Sequence, residues 1–203
     1  MQPDVVVIPA KGLSTGKSRL AQYLSASQRN TLNLAQLVRT VRAAVEAFGS
    51  ERTFVVSPCK GVEEIVRREG VGFVRERLPP SLNQALEQAR AELLTRDVRS
   101  ISVLPVDLSG VSGTVLREVL AGCGPHEALV VPDRVAQGTN FMRVPAACDI
   151  RFSYGPGSFA THVRLLAQAG FGPRIVGCTC LRDDLDDIAH LRMHDRCSKM
   201  LVA

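Results

Sequence analysis

Short apolar runs alternate along this chain with stretches whose apolar residues recur at helical spacing. Residues 5–8, 53–56, 72–74, 101–104, 128–131 and 141–144 are brief apolar runs bounded by proline, glycine or polar residues, and they predict strands. A weaker run at 174–177 is a further strand candidate. Between the first two strands, Leu34, Leu37, Val38, Val41, Val45 and Phe48 share one face of a helix that Ser27 can cap and Gly49 stops. Helices are also predicted over 62–68 and 83–94, from a Ser112 cap to about 120, from Ser158 to about 169, and over 184–194. Repeated strand–helix units imply an α/β fold, a three-layer α/β/α sandwich with a mostly parallel sheet covered on both faces. No linker or shift in composition breaks the pattern, so residues 1–203 are expected to form a single domain. In such sheets ligands bind beyond the carboxyl ends of the strands, so the loops there are where chemistry is expected.

The first of these loops is the most telling. The run Val5-Val6-Val7-Ile8-Pro9 empties into Ala10-Lys11-Gly12-Leu13-Ser14-Thr15-Gly16-Lys17-Ser18-Arg19-Leu20. Glycines let backbone N–H groups approach a phosphate, and the cations neutralise it. A P-loop needs four residues between its glycines. Here only Leu13, Ser14 and Thr15 separate Gly12 from Gly16, and Lys11 stands where the first glycine belongs. The loop is therefore expected to handle a nucleotide, though not in the Walker manner; the bland alternative is a surface turn with solvated lysines.

Composition narrows the classes. No apolar run approaches the length of a membrane span, and the N-terminus lacks a charged segment followed by an apolar one, so a cytoplasmic protein is expected. The formal charge of +5 does not point to nucleic acid, because the basic residues are scattered and aromatic groups to stack bases are scarce. A positive field suited to small phosphorylated anions accounts for it as well. The six cysteines are expected to be free thiols in a chain without a secretory signal. Cys178-Thr179-Cys180 has neither the spacing nor the partner pair of a zinc site.

Four more segments could carry chemistry. Leu104-Pro105-Val106-Asp107-Leu108 ends a strand with an acid at the sheet's carboxyl edge, where it could hold Mg²⁺ or merely cap a turn. Pro132-Asp133-Arg134 and Gly138-Thr139-Asn140 form a second polar loop, with a hydroxyl and an amide to offer an anion. Tyr154-Gly155-Pro156-Gly157-Ser158-Phe159 leads straight into a helix, a geometry that aims N–H groups at a phosphate or carboxylate, unless Ser158 is only an N-cap. Asp183, Asp184, Asp186 and Asp187 open the last predicted helix, where acids favour the helix dipole and one could be a metal ligand.

Taken in order, these segments resemble the 2-phospho-L-lactate guanylyltransferase family, the CofC/FbiD group of the coenzyme F-420 pathway within the MobA-like nucleotidyltransferases. The resemblance rests on Pro9-Ala10-Lys11, Lys17-Ser18-Arg19-Leu20, Leu82-Asn83-Gln84-Ala85-Leu86, the Asp107 segment, the Gly-Thr-Asn loop and the Gly155 turn with His162. It implies a nucleotide-diphospho-sugar transferase-like fold and the transfer of GMP from GTP to a small phosphorylated carboxylic acid, with loss of pyrophosphate. The acceptor could be phosphoenolpyruvate, 2-phospho-L-lactate or 3-phospho-D-glycerate. It implies that Asp107 is a Mg²⁺ ligand together with Asp183, that Lys17, Lys11 and Arg19 attend the nucleotide phosphates, and that Asn83 lies near the base or ribose. Thr139, Gly155 and Ser158 would grip the acceptor. No nucleic-acid or membrane partner is implied, and a homodimer is an open expectation. Two departures stand out: Leu181 replaces the first acid of the family's usual Asp-x-Asp, and Ser81 replaces a glycine before the Leu-Asn motif. A related transferase with another acceptor, or a nucleotide-binding homologue with weakened chemistry, are the alternatives.

Overall fold

The order of strands in the sheet explains where a ligand can enter. The computed structural model describes residues 2–13, 21–77 and 81–181, and within them one seven-stranded sheet runs β3-β2-β1-β4-β6-β5-β7. Its strands are β1 (Asp4–Pro9), β2 (Thr53–Ser57), β3 (Gly72–Arg75), β4 (Ser100–Val103), β5 (Leu129–Pro132), β6 (Thr139–Pro145) and β7 (Arg174–Ile175). All pairings are parallel except those of β6, which runs antiparallel to both β4 and β5. From β1 the chain builds outward to β2 and β3, then returns to lay β4 on β1's other side. That reversal parts the loops after β1 and β4 and opens a crevice between them.

The helices are α1 (Ala26–Phe48), α2 (Lys60–Arg68), α3 (Leu82–Leu94), α4 (Gly113–Leu120) and α5 (Ser158–Gln168). Period-two alternation in the strands sorts them into layers. Val6 and Ile8 of β1 join Leu37 and Val41 of α1, Val62 and Val66 of α2, and Leu116 and Val119 of α4 in one core. Val5 and Val7 face the other way, onto Leu86, Ala89 and Leu93 of α3 and Leu166 of α5. Each Val, Leu or Ile among them, fully buried, contributes about 1.5–3 kcal/mol, and together they fix the three layers the alternation predicts.

Local starts and stops differ from expectation in instructive ways. Ser25, not Ser27, caps α1: its hydroxyl accepts the Gln28 N–H while the Gln28 side chain accepts the Ser25 N–H. This reciprocal box satisfies two orphan donors, whereas Ser27 could satisfy only one. Leu34 is exposed, and Gln36 and Thr40 are buried in its stead, because α1 turns its polar side chains toward the crevice. Ser112 caps α4 as the spacing predicts, accepting from the Val115 N–H. The predicted helix at 184–194 lies outside the described residues.

Candidate functional site

A cleft of about 760 Å³ opens at the carboxyl edge of the sheet, in the crevice between β1 and β4. That volume suits a small-molecule site. Lys11 and Gly12 come from the loop after β1, Asp107 from the loop after β4, Asn33 and Gln36 from α1, Glu76 from the end of β3, and Tyr154 from the loop before α5. Of the first loop's cations, Lys11 is thus brought to the cleft, while Lys17 and Arg19 lie outside the described residues, as does Asp183.

Asp107 is set by its neighbours rather than by a strand. The Thr40 hydroxyl donates to the Val106 carbonyl at 3.0 Å, and the Arg39 guanidinium donates to the Leu108 carbonyl at 2.7 Å. These two bonds from α1 bracket Asp107 and hold its loop over the cleft. On the far side the loop meets the turn Thr179–Leu181: a Cβ on Gly110 would lie 2.5 Å from the Cys180 carbonyl oxygen, so only glycine fits there. Leu181 itself is buried in the core beside Leu108 and Val111, and its carbonyl accepts from the Asn140 amide at 2.8 Å. Its side chain therefore fills an apolar site and supplies nothing to an ion. Among the described residues no group of His, Cys, Asp and Glu is dense enough to form a metal site by itself.

The second group of expected residues gathers around the start of α5. The bulge between Val131 and Pro132 places Asn140 out of step in β6, so that Asn140 and Phe141 both turn to the α1 side. Thr139 is thereby re-aimed at α5. Its N–H donates to the Ser158 hydroxyl at 3.0 Å, and its own hydroxyl sits 2.9 Å from Nδ1 of His162. Gly157, in the left-handed region at φ 73°, is the cap residue of α5, which makes Ser158 its first helical residue rather than the cap. Two of the N–H groups expected to be open are already paired. Ser158 N–H is bonded to the Gly155 carbonyl and Phe159 N–H to the Gln137 carbonyl. Space is left beside Gly155, where a Cβ would touch nothing.

Asn83 links the two groups. Its amide oxygen accepts the Tyr154 N–H at 2.8 Å and its nitrogen donates to the Tyr154 carbonyl at 3.1 Å. It therefore pins the Gly155 loop to α3. Asp133, which the sequence marks as a polar loop residue, closes its own turn by accepting from the N–H groups of Val135, Gln137 and Gly138. Tyr154 lines the cleft and packs edge-on against His162 at 4.9 Å between ring centroids. Its hydroxyl is buried with no hydrogen-bond partner, and burial pushes its ionisation far above the ordinary value. Burial likewise lowers the His162 ring to about 4, so the ring is neutral at physiological pH. Thr40 and Arg39 were not legible as site residues, because their contacts span 66 and 69 residues that no local motif reports; His162 was marked by its motif, but its bond to Thr139 was not.

Known proteins resemble this chain in sequence and in fold. A family profile described as guanylyl transferase CofC-like matches residues 4–196. A phosphoenolpyruvate guanylyltransferase of Rubrobacter xylanophilus is 35% identical over 91% of this chain and 91% of its own length. One of Chloroflexus aggregans is 31% identical over 93% of this chain and 95% of its own. Among solved structures, a nucleotidyl transferase from Methanothermobacter superposes with a TM-score of 0.68 at 15% identity, covering 98% of this chain and all of its own. A cytidylyltransferase from Leptospira borgpetersenii does so at 0.61 and 13%, covering 98% and 88%. At such low identity these structures establish the fold alone.

Proposed function

The chain belongs to the CofC-like guanylyl transferase family, and we propose that it moves GMP from GTP onto a three-carbon phosphorylated acid, phosphoenolpyruvate first among them. The observation that carries this reading is the continuity of the cleft. It runs from Lys11 and Gly12 past Asp107 to Tyr154, whose neighbour Gly155 begins the turn bearing Ser158. In this reading the Lys11 end takes the nucleotide and the Tyr154 end faces the acceptor, with Asp107 between them. Relatives named phosphoenolpyruvate guanylyltransferase favour that acid over 2-phospho-L-lactate and 3-phospho-D-glycerate. A role in coenzyme F-420 biosynthesis goes with it.

In this reading an oxygen of the acceptor's phosphate attacks the α-phosphorus of GTP in line. A new P–O bond forms as the bond to pyrophosphate breaks. The attacking oxygen is already ionised at neutral pH, so no general base is required, and the protein's work is positioning and charge neutralisation. Lys11, with Lys17 and Arg19, offsets the charge of the nucleotide phosphates. Thr139, Gly155 and Ser158 hold the acceptor. Asp107, with Asp183, would hold Mg²⁺, which when bound supplies positive charge against the phosphate oxygens. The donor set fits such an ion: Mg²⁺ takes one or two carboxylates and completes its shell with phosphate and water. The buried Leu181 is no obstacle to that count.

Incubation with GTP, Mg²⁺ and each acid separately, with products read by mass, tests the reading. A guanylylated phosphoenolpyruvate is expected. Product from another of the acids would keep guanylyl transfer and move the acceptor. No product from any, despite GTP binding, would overturn it.

A further inference from the structure

The buried histidine of α5 has a proton arrangement that can be worked out from its partners. His162 is fully buried, with each ring nitrogen in a hydrogen bond. The Ser153 backbone N–H points at Nε2 from 2.9 Å. A backbone amide can only donate, so Nε2 presents its lone pair and the proton of the neutral ring sits on Nδ1. Nδ1–H then donates to the Thr139 hydroxyl oxygen 2.9 Å away. With that oxygen accepting from the ring, the hydroxyl's own proton is turned elsewhere, and it has no second partner among the described residues.

Ser158 repeats the pattern. Its hydroxyl oxygen accepts the Thr139 N–H, and no acceptor for its proton is found among the described residues. Two adjacent hydroxyls are thus fed by internal N–H donors and left with protons to give. Such a pair can donate two hydrogen bonds to an anion, which only accepts. Two further features hold the arrangement. The Tyr154 ring packs edge-on against the imidazole, and the bulge in β6 directs Thr139 toward α5 and away from the face that Phe141 fills. β6 begins at the carboxyl edge of the sheet, where the antiparallel β4 ends, and the pair is buried there around His162, against which the cleft residue Tyr154 packs.

We propose that His162 is a positioning residue: its Nδ1–H orients the Thr139 hydroxyl so that Thr139 and Ser158 donate together to the phosphate or carboxylate of the acceptor acid. This inference rests on the acceptor end assigned above. It separates His162 from a histidine that merely fills space, because only one ring nitrogen matters to the acceptor. His162→Asn keeps an N–H donor near the Nδ1 position, whereas His162→Gln keeps a polar group near Nε2 and loses the donor to Thr139.

The test combines steady-state kinetics with the ring's tautomer, read in a long-range ¹H–¹⁵N spectrum of the wild-type chain. The Nδ1–H tautomer is expected. The KM for phosphoenolpyruvate should rise about tenfold or more in His162→Gln and in Thr139→Val, since each leaves an anion one donor short. It should stay within about threefold of wild type in His162→Asn, and the KM for GTP should hold in all three. An Nε2–H tautomer, equal damage from the Asn and Gln variants, or KM values for GTP and acceptor rising together would overturn the proposal. The tautomer and Thr139→Val decide it even if a His162 variant fails to fold. Failure of the wild type to guanylylate any of the acids would instead sink the functional reading, and this proposal with it; a wild type that turns over while the variants or tautomer disagree sinks this proposal alone.

Discussion

At the scale of residues, the site depends on a few side chains held by partners far away in sequence. Asp107 is at the cleft because Thr40 and Arg39 of α1 grip the carbonyls on either side of it. Its position at the end of an apolar run was legible, since a carboxylate that follows a buried strand in an α/β protein lies at the ligand edge. The residues that aim it were not, because nothing near Thr40 in sequence marks it as facing a loop 66 residues on. Asn83 shows the converse: its motif singled it out, yet both ends of its amide hold the Tyr154 backbone. Asp107→Ala is expected to lower kcat/KM by about a hundredfold or more, the scale of losing one preorganised charge-stabilising group. Thermal unfolding should barely change, because the side chain is only half-buried. A variant with near-wild-type turnover would remove Asp107 from the chemistry.

At the scale of elements, the periodicities recovered the strands and helices of the described residues but not the direction of β6. Alternation of apolar and polar positions is the same whichever way a strand runs. The hint lay in connection length: β5 and β6 are joined by the short loop 133–138, too short for a crossover between parallel strands. The bulge that follows was equally hidden, though Asn140 and Thr139 owe their opposite destinations to it. The loop after β4 and the turn Thr179–Leu181 are close-packed through Gly110. Gly110→Ala would force backbone apart at that contact and should cost about 1–3 kcal/mol, as overpacking does. Because the same loop carries Asp107, activity should fall as well. Urea unfolding and initial rates measure both, and an unchanged pair of values would show that the contact yields freely.

At the scale of the whole molecule, the edge of the sheet opposite the cleft carries a charged cluster. Asp4 of β1 meets Arg99, Ser100 and the fully buried Arg143, tying β1, β4 and β6 together across the sheet. Burial by itself would raise the Asp4 carboxyl, but Arg99, Ser100 and Arg143 outweigh it and hold it down to about 2. A carboxyl depressed from 3.8 contributes stability that is present above that value and lost as pH falls toward 2. Discounted for solvent screening of a half-exposed group, the contribution is about 1–2 kcal/mol. Asp4→Asn should flatten the pH dependence of urea unfolding in that window by this amount. A slope identical to wild type would mean the cluster does not couple to folding. Both edges follow from one topology, in which β1 and β4 stay paired along β4 and the loops after them part at the reversal. If the open edge transfers GMP, GTP labelled at its α-phosphorus will report it. With phosphoenolpyruvate present, the label is expected to pass into the acid while unlabelled pyrophosphate appears in equal amount. Label found only in GTP, GDP or GMP, with none in a guanylylated acid whichever acid is supplied, would show that no such transfer occurs.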